Sequence, residues 1–517
     1  MKRLIALSVT ILTIGFTFSQ SNLLVDKYEN ISGKNYITDS VITENEFVFS
    51  SKINQSCIDS ASNTLTIQLI NQSKNSKNLN YTGNILQFDL NEDIVKWDKP
   101  INYQLSNFKQ FGDLIIENTT TQSNVLNFKN GKIQFESKNT LYHVDPKLKI
   151  GIGYKLNSND KNTVEAINLN TGEVCWKRKI SHQFGWNDVT YLNDSVILLI
   201  SDGLHTINIR TGRGWDYNAV TGRNNYSSTI ATNVVGFGLG LLTGTFIATA
   251  EHDEVCDLVS NTLVDGENIY FASKDKISCL NMDGTTKWEN LSDRRSRSNS
   301  IIFMKDSVLY LVNKGTAFME DRKINYGKPF LAAYNKNNGN HLFNNTLRNQ
   351  NFEFVDFSIR KDTMILLSEK NASNYSLKTG KRIDFRFYDT EKNGKFTGFV
   401  GSQIYVKTDS TFHNLVLSDT TLNYVTTDKN SAFGLDSHLD VVKQLSFDDF
   451  YICYFANNNF KFLANGDETI VIDNDNKVIA NFRASSNAFV IGDQLFEILE
   501  KSVIQIDLTD LFAQTGK

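Results

Sequence analysis

Three prolines in 517 residues leave little material for rigid linkers or polyproline segments. Cysteine is scarce too. The five, Cys57, Cys175, Cys256, Cys279 and Cys453, are odd in number and far apart, so they build no disulfide framework. No Cys-x-x-Cys occurs, which leaves no basis for haem attachment or a zinc ribbon. Cys175 and Cys279 lie in strand-like runs and read as small core residues. One disulfide, involving Cys57 or Cys256, stays open. Seven histidines (His143, His182, His205, His252, His341, His413 and His438) include no pair at metal-ligand spacing. There is no Gly-x-Ser-x-Gly elbow. Asp473-Asn474-Asp475-Asn476 imitates the start of a calcium loop, but Val478 stands where that loop needs glycine, so it reads as a turn. His252-Asp253-Glu254 is a polar cluster with catalysis only as a lesser reading. Charge is nearly balanced, 53 basic against 57 acidic residues, so no nucleic-acid footprint is visible. No catalytic, cofactor or metal residue is assigned from these patterns, and the expectation is no cofactor.

Aromatic residues are plentiful instead, with 35 Phe and 19 Tyr, which favours strands. The clearest unit is 164–176, VEAINLNTGEVCW. A strand-like run leads to Asn170-Thr171-Gly172, where glycine is free to take positive φ, and the return strand ends on Trp176. A single hairpin cannot bury its own apolar face. The chain repeats it at 85–97 (ILQFDLNEDIVKW), 125–135 (VLNFKNGKIQF), 204–215 (LHTINIRTGRGW), 277–288 (ISCLNMDGTTKW), 331–343 (LAAYNKNNGNHLF) and 375–385 (YSLKTGKRIDF). Weaker copies lie at 414–424 and 469–480. The turn glycine or its stand-in falls at 93, 131, 172, 212, 284, 339, 380, 420 and 476. Short gaps are near 40 residues, and longer ones of 72, 55 and 56 read as the same unit with an insertion. Four of the five tryptophans, Trp97, Trp176, Trp215 and Trp288, close a copy. The candidate structural positions are these four with Gly172, Gly212, Gly284, Gly339 and Gly380.

A period near 40, all strand with turn glycines, points to an all-β chain: a β-propeller of about eight four-stranded blades, or seven. A β-sandwich with coincidental hairpins is the competing reading. Each blade has its own core, so the length fits one domain, 20–517. Between copies, 193–201 (NDSVILLIS), 306–312, 362–368 and 402–406 read as outer strands covered by blades on both sides. Strand-like 64–70 (TLTIQLI) and 46–50 near the start, and 503–508 (VIQIDL) near the end, fit a ring closed by pairing the two ends of the chain.

The first nineteen residues read as a signal peptide. Lys2 and Arg3 precede an apolar run, and Thr17-Phe18-Ser19 makes a small-x-small cleavage site. Cleavage before Gln20 leaves a net charge of about −6. No cysteine follows to carry a lipid. Export is expected, in periplasmic, outer-membrane-associated or secreted form.

One stretch breaks the pattern. Within an insertion at 219–258, residues 227–250 (SSTIATNVVGFGLGLLTGTFIATA) carry no charge and four glycines. It is long enough to span a membrane, but glycines at two-residue spacing and β-branched ends make a poor helix. It reads as an apolar excursion packed on or plugging the ring, with a partner interface and membrane contact as alternatives. Asp293-Arg294-Arg295-Ser296-Arg297 reads as a solvated connection, or as a basic loop for an anionic partner. The aromatic run 447–455 reads as core.

The units VEAINLNTGEVCW, LHTINIRTGRGW and ISCLNMDGTTKW resemble the repeat of the pyrroloquinoline-quinone-type propellers, with its Asp/Asn, Thr-Gly turn and closing Trp. The resemblance implies an eight- or seven-bladed ring in which each Trp docks against the neighbouring blade. One branch of that family holds the quinone and calcium beside a pair of adjacent cysteines; this chain has no adjacent cysteines. The other branch is non-enzymatic and holds partner proteins with its loops. The resemblance therefore implies an exported scaffold that binds a protein or a surface polymer, with a quinone-dependent dehydrogenase, or another envelope enzyme using the channel, as the alternative.

Overall fold

The structure, a computed structural model, describes residues 25–59, 62–70, 82–120, 122–155, 162–224, 254–293, 295–319, 322–347, 353–400, 403–408, 411–418, 421–429 and 431–513. The expected signal peptide, residues 227–250, the turn position 420 and Arg294 lie outside the described residues.

The chain is all-β and organised as consecutive antiparallel four-stranded sheets. Eight follow one another as units 1 to 8, at 52–102, 106–137, 139–179, 188–218, 263–291, 300–346, 354–387 and 396–446. Two more form parts of an eleven-stranded sheet. Unit 9 spans 451–483. Unit 10 takes three strands from 489–507 and its fourth from the beginning of the chain, strand β2 (Ser40–Phe49). Strand β1 (Val25–Asn35) pairs with β2 and touches unit 9 through Lys34↔Asn481 and Asn35↔Ala480. Thus the two ends of the chain do pair, Glu46 opposite Ile504 and Phe47 opposite Val503.

Ten units stand where about eight were expected. Unit 10 contributes no turn glycine, because its last hairpin partner comes from residues 40–49. The weak copy placed at 414–424 is not a hairpin. There the structure has an added strand pair, Ile404–Thr408 with Thr411–Asn414, then a helical turn over Leu415–Ser418. The third and fourth strands of unit 8 are Ser431–Leu435 and Val441–Ser446, which carry no glycine-aromatic signature.

Within each unit the middle strands are covered on both faces, and the fourth lies at an edge. Unit 3 shows the rule: Val164, Ala166 and Ile167 of the third strand are buried, while Val174–Lys179 buries only Trp176. The run Val196–Ser201, expected as an outer strand, is a second strand; it is apolar because a strand between two sheet neighbours has no wet face. Successive units share buried apolar clusters, from units 1 and 2 (Ile85, Trp97, Phe108, Ile115) onward. The series returns to its start, where Phe47, Phe49 and Val503 of unit 10 pack with Leu65, Ile67 and Phe88 of unit 1. This is the arrangement of sheets a β-propeller has.

Candidate interaction face

In an up-and-down sheet the first and third turns fall at one end, and the second turn and the exit connection at the other. The repeat glycines all lie at the first end. There the Asn168 side chain accepts hydrogen bonds from the N–H groups of Asn170 (2.9 Å) and Thr171 (3.2 Å). Gly172 N–H then returns to Asn168 O, with φ at +76° and a β-bulge between Ala166 and Ile167. Asn208 and Asn335 build the same turn for Gly212 and Gly339.

In units 1 to 6 the closing aromatic lies on the turn glycine of the next unit. Trp97 meets Gly131, Phe135 meets Gly172, Trp176 meets Gly212, Trp215 meets Gly284, Trp288 meets Gly339 and Phe343 meets Gly380. Each indole N–H also donates to a carbonyl of that neighbour: Trp97 to Phe128 O (2.9 Å), Trp176 to Ile209 O (2.8 Å), Trp215 to Met282 O (2.8 Å) and Trp288 to Lys336 O (2.9 Å). Trp215 makes its dock across the 72-residue gap. The insertion therefore leaves the repeat frame undisturbed.

The opposite end carries what the repeat does not explain. A further four-stranded sheet forms from two separate insertions, in the order Arg223–Asn224, Glu254–Cys256, Thr316–Met319, Arg322–Asn325. The first two strands flank the uncharged stretch between units 4 and 5. The last two are a hairpin inserted into unit 6. They join through Val255↔Met319 and Cys256↔Phe318. Beneath them Val255, Leu258 and Ala317 are buried with Ile324 and Tyr326 packed alongside. Residues 219–222 and 257–260 at the edges of the expected insertion are bonded to each other and to units 5 and 6. Lys274 N–H donates to Val220 O, Leu258 N–H to Thr221 O and Ser300 N–H to Val259 O. Gln183, on the connection between units 3 and 4, donates to Glu254 at 2.9 Å.

At this seam sits Asp257, in the left-handed region with φ at +62°. Burial pushes its carboxyl up to about 6, against the attraction of Lys314 and a hydrogen bond from Asn299. Lys314 is itself held below its ordinary value by burial. Its ammonium lies 5.4 Å from the Phe354 ring centre. Arg297, expected in a solvated or basic loop, is instead 2% exposed. Its guanidinium lies over Phe330, gives one hydrogen bond to Ser292, and is lowered to about 10 by burial. The loop turns back because Asp293 accepts from Arg295 N–H and Ser296 Oγ, and this carries Arg297 inward. Neither Asp257 nor the 316–325 hairpin was marked in the sequence. A lone Asp and two four-residue strands have no periodicity to detect.

Glu254, from the expected polar cluster, is the acceptor for Gln183; His252 and Asp253 lie outside the described residues. Asp473 to Asn476 form a turn, with Asp473 accepting from the N–H groups of Asp475 and Lys477. All five cysteines are free thiols, Cys57 and Cys256 included. The described residues contain no group of three or more His, Cys, Asp or Glu that could hold a metal ion. Among them no helix is long and apolar enough to cross a membrane.

No family model and no curated protein matches the chain. Among solved structures it is similar to BamB from Moraxella catarrhalis, at 12% identity and TM-score 0.31, covering 79% of this chain and 97% of that one. It is similar to a eukaryotic initiation factor at 11% identity and TM-score 0.34, covering 81% and 98%. It is also similar to the computationally designed Ika8 protein, at 9% identity and TM-score 0.30, covering 70% and 93%. These likenesses place it in no family. The fold rests on its own strand order and cores.

Proposed function

We propose that the chain is an exported, non-catalytic propeller whose ten units close into one ring, and that it holds a partner protein at the face bearing the added sheet. The observation that carries this reading is the construction of that sheet. Two insertions from different units meet and share a small core, while Trp215 still docks on Gly284 at the other end. Structure added to one face without disturbing the frame does not serve the frame. Propellers and similar rigid scaffolds carry function on such loops. The uncharged 227–250 stretch is contiguous with this sheet in sequence.

The test compares three forms of the full chain in capture from a native envelope extract. One is unaltered. One has 228–250 replaced by a short Gly-Ser linker, a cut drawn inside 219–258 so that Val220 and Leu258 keep their places. One has Arg210→Glu at the opposite, glycine-turn end. A partner lost with the excision and kept with Arg210→Glu supports the reading. A partner indifferent to the excision places binding elsewhere. Stoichiometric calcium and a quinone absorbance band in the purified protein would overturn the scaffold in favour of a dehydrogenase.

A further inference from the structure

Strand β1 is held at one end and open at the other. From Ser32 onward it is fixed to unit 9: Arg483 N–H donates to Ser32 Oγ at 3.0 Å, and Lys34 and Asn35 pair with Asn481 and Ala480. A Cβ at Gly33 would lie 1.9 Å from Asn481 O, so the two backbones touch there. Residues 25–31 have no such neighbour. Among the described residues they pair with β2 alone, Val25↔Phe49 through Ile31↔Thr43. Seven residues therefore present a strand edge with an unpaired row of backbone groups, the usual template for a further strand. Side chains along it are exposed as well, Ile31 at 77% and Tyr28 at 52%.

We propose that this edge pairs antiparallel with the same edge of a second copy, giving a two-fold dimer centred on Tyr28. The argument is the sequence of the edge, Val-Asp-Lys-Tyr-Glu-Asn-Ile. Folded against itself about Tyr28, it sets Val25 opposite Ile31, Asp26 opposite Asn30 and Lys27 opposite Glu29. Alternation puts Val25, Lys27, Glu29 and Ile31 on one face. On that face each copy offers apolar, cation, anion, apolar, and meets apolar, anion, cation, apolar. The exposed Ile31 is then covered by Val25 of the second copy. The register is specific. A slip to either side that keeps the faces brings Lys27 opposite Lys27 or Glu29 opposite Glu29, and like charges directly opposed are unfavourable. Lys27 already bonds Asp93 at 2.7 Å and stays 39% exposed, so it is positioned and still able to meet a second carboxylate. The edge strand of unit 3 is a useful contrast, since its Lys177-Arg178-Lys179 run opposes self-pairing.

The chain is expressed from its first residue, purified in the processed form the cell leaves, and followed by sedimentation equilibrium from about 1 to about 100 µM. Unchanged tryptophan fluorescence establishes that each variant is folded. A monomer–dimer equilibrium is expected, weakened roughly tenfold or more by Glu29→Lys, which opposes lysines. The double change Lys27→Glu/Glu29→Lys restores complementarity and should restore the dimer. In a Cys175→Ser background, Tyr28→Cys should cross-link two copies under oxidant. Asn30→Cys should not, because its two copies lie roughly 13 Å apart in this register. A monomer at every concentration overturns the proposal. So does a dimer indifferent to Glu29→Lys, or one linked through position 30 and not 28. A monomer whose β1 amides gain exchange protection only when another protein is added places a foreign strand on this edge and also overturns it.

Discussion

Two atoms of Trp176 decide most of what that residue does. Its indole N–H satisfies Ile209 O, and its six-membered ring lies so close to Gly212 that a Cβ there would sit 2.5 Å from Cδ2. Trp176→Ala removes a ring that is 9% exposed, and should cost about 3–5 kcal/mol in denaturant unfolding. A cost below about 1 kcal/mol would show that the ring is not held between units. The glycines separate two effects. Gly172 and Gly212 both have positive φ, near +76° and +70°, so alanine strains the backbone at each by about 1 kcal/mol. At Gly172 the nearest Phe135 atoms stand 3.4 Å from the added Cβ, an ordinary contact. At Gly212 the tryptophan must also move. Gly212→Ala should therefore lower the unfolding midpoint more than Gly172→Ala; equal losses would mean strain alone matters. Both residues were legible in the sequence, because a Thr-Gly turn and a Trp at fixed spacing have few other uses. Arg297 was not. In Asp-Arg-Arg-Ser-Arg nothing marks Arg297 as buried, since the turn capped by Asp293 is what carries it inward.

At the scale of elements, repeated hairpins were readable and insertions were not. The length of the gap before Gly339 announced extra chain in unit 6, but not that residues 316–325 would pair with 254–256. Such pairing depends on two loops reaching the same end of neighbouring units, which is topology and leaves no local pattern. Asp257 makes the seam sensitive to pH. Burial raises its carboxyl to about 6, above the ordinary 3.8. For an acid raised in this way the stabilisation is complete below about 3.8 and is lost as pH climbs through about 6. Facing it are Lys314, which favours the charged form, and the Asn299 amide, which serves it with a hydrogen bond. Amides of 254–258 and 316–319, corrected for intrinsic exchange, should be better protected at pH 5 than at pH 7.5. Asp257→Asn should flatten that difference. Equal protection at both pH values in the unaltered chain would show that the carboxyl stays charged throughout.

For the whole molecule, the all-β class, the repeat and the pairing of the two ends followed from spacing and from two terminal strand-like runs. The unit count did not. Units 8 and 10 lack the glycine-aromatic marker, one because the turn between its third and fourth strands, residues 436–440, holds no glycine, the other because its fourth strand is β2. That last arrangement has a kinetic consequence. Glu46 accepts from Ser502 at 2.8 Å, across 456 residues, so the final sheet cannot form until nearly all the chain has been made. Until then residues 40–49 have β1 alone as a sheet neighbour, and one side of the final sheet stays open. Moving 25–50 to follow residue 513 would make the same pairings local. This circular permutant should keep the stability of the parent and refold faster, because the longest loop closure disappears from its path.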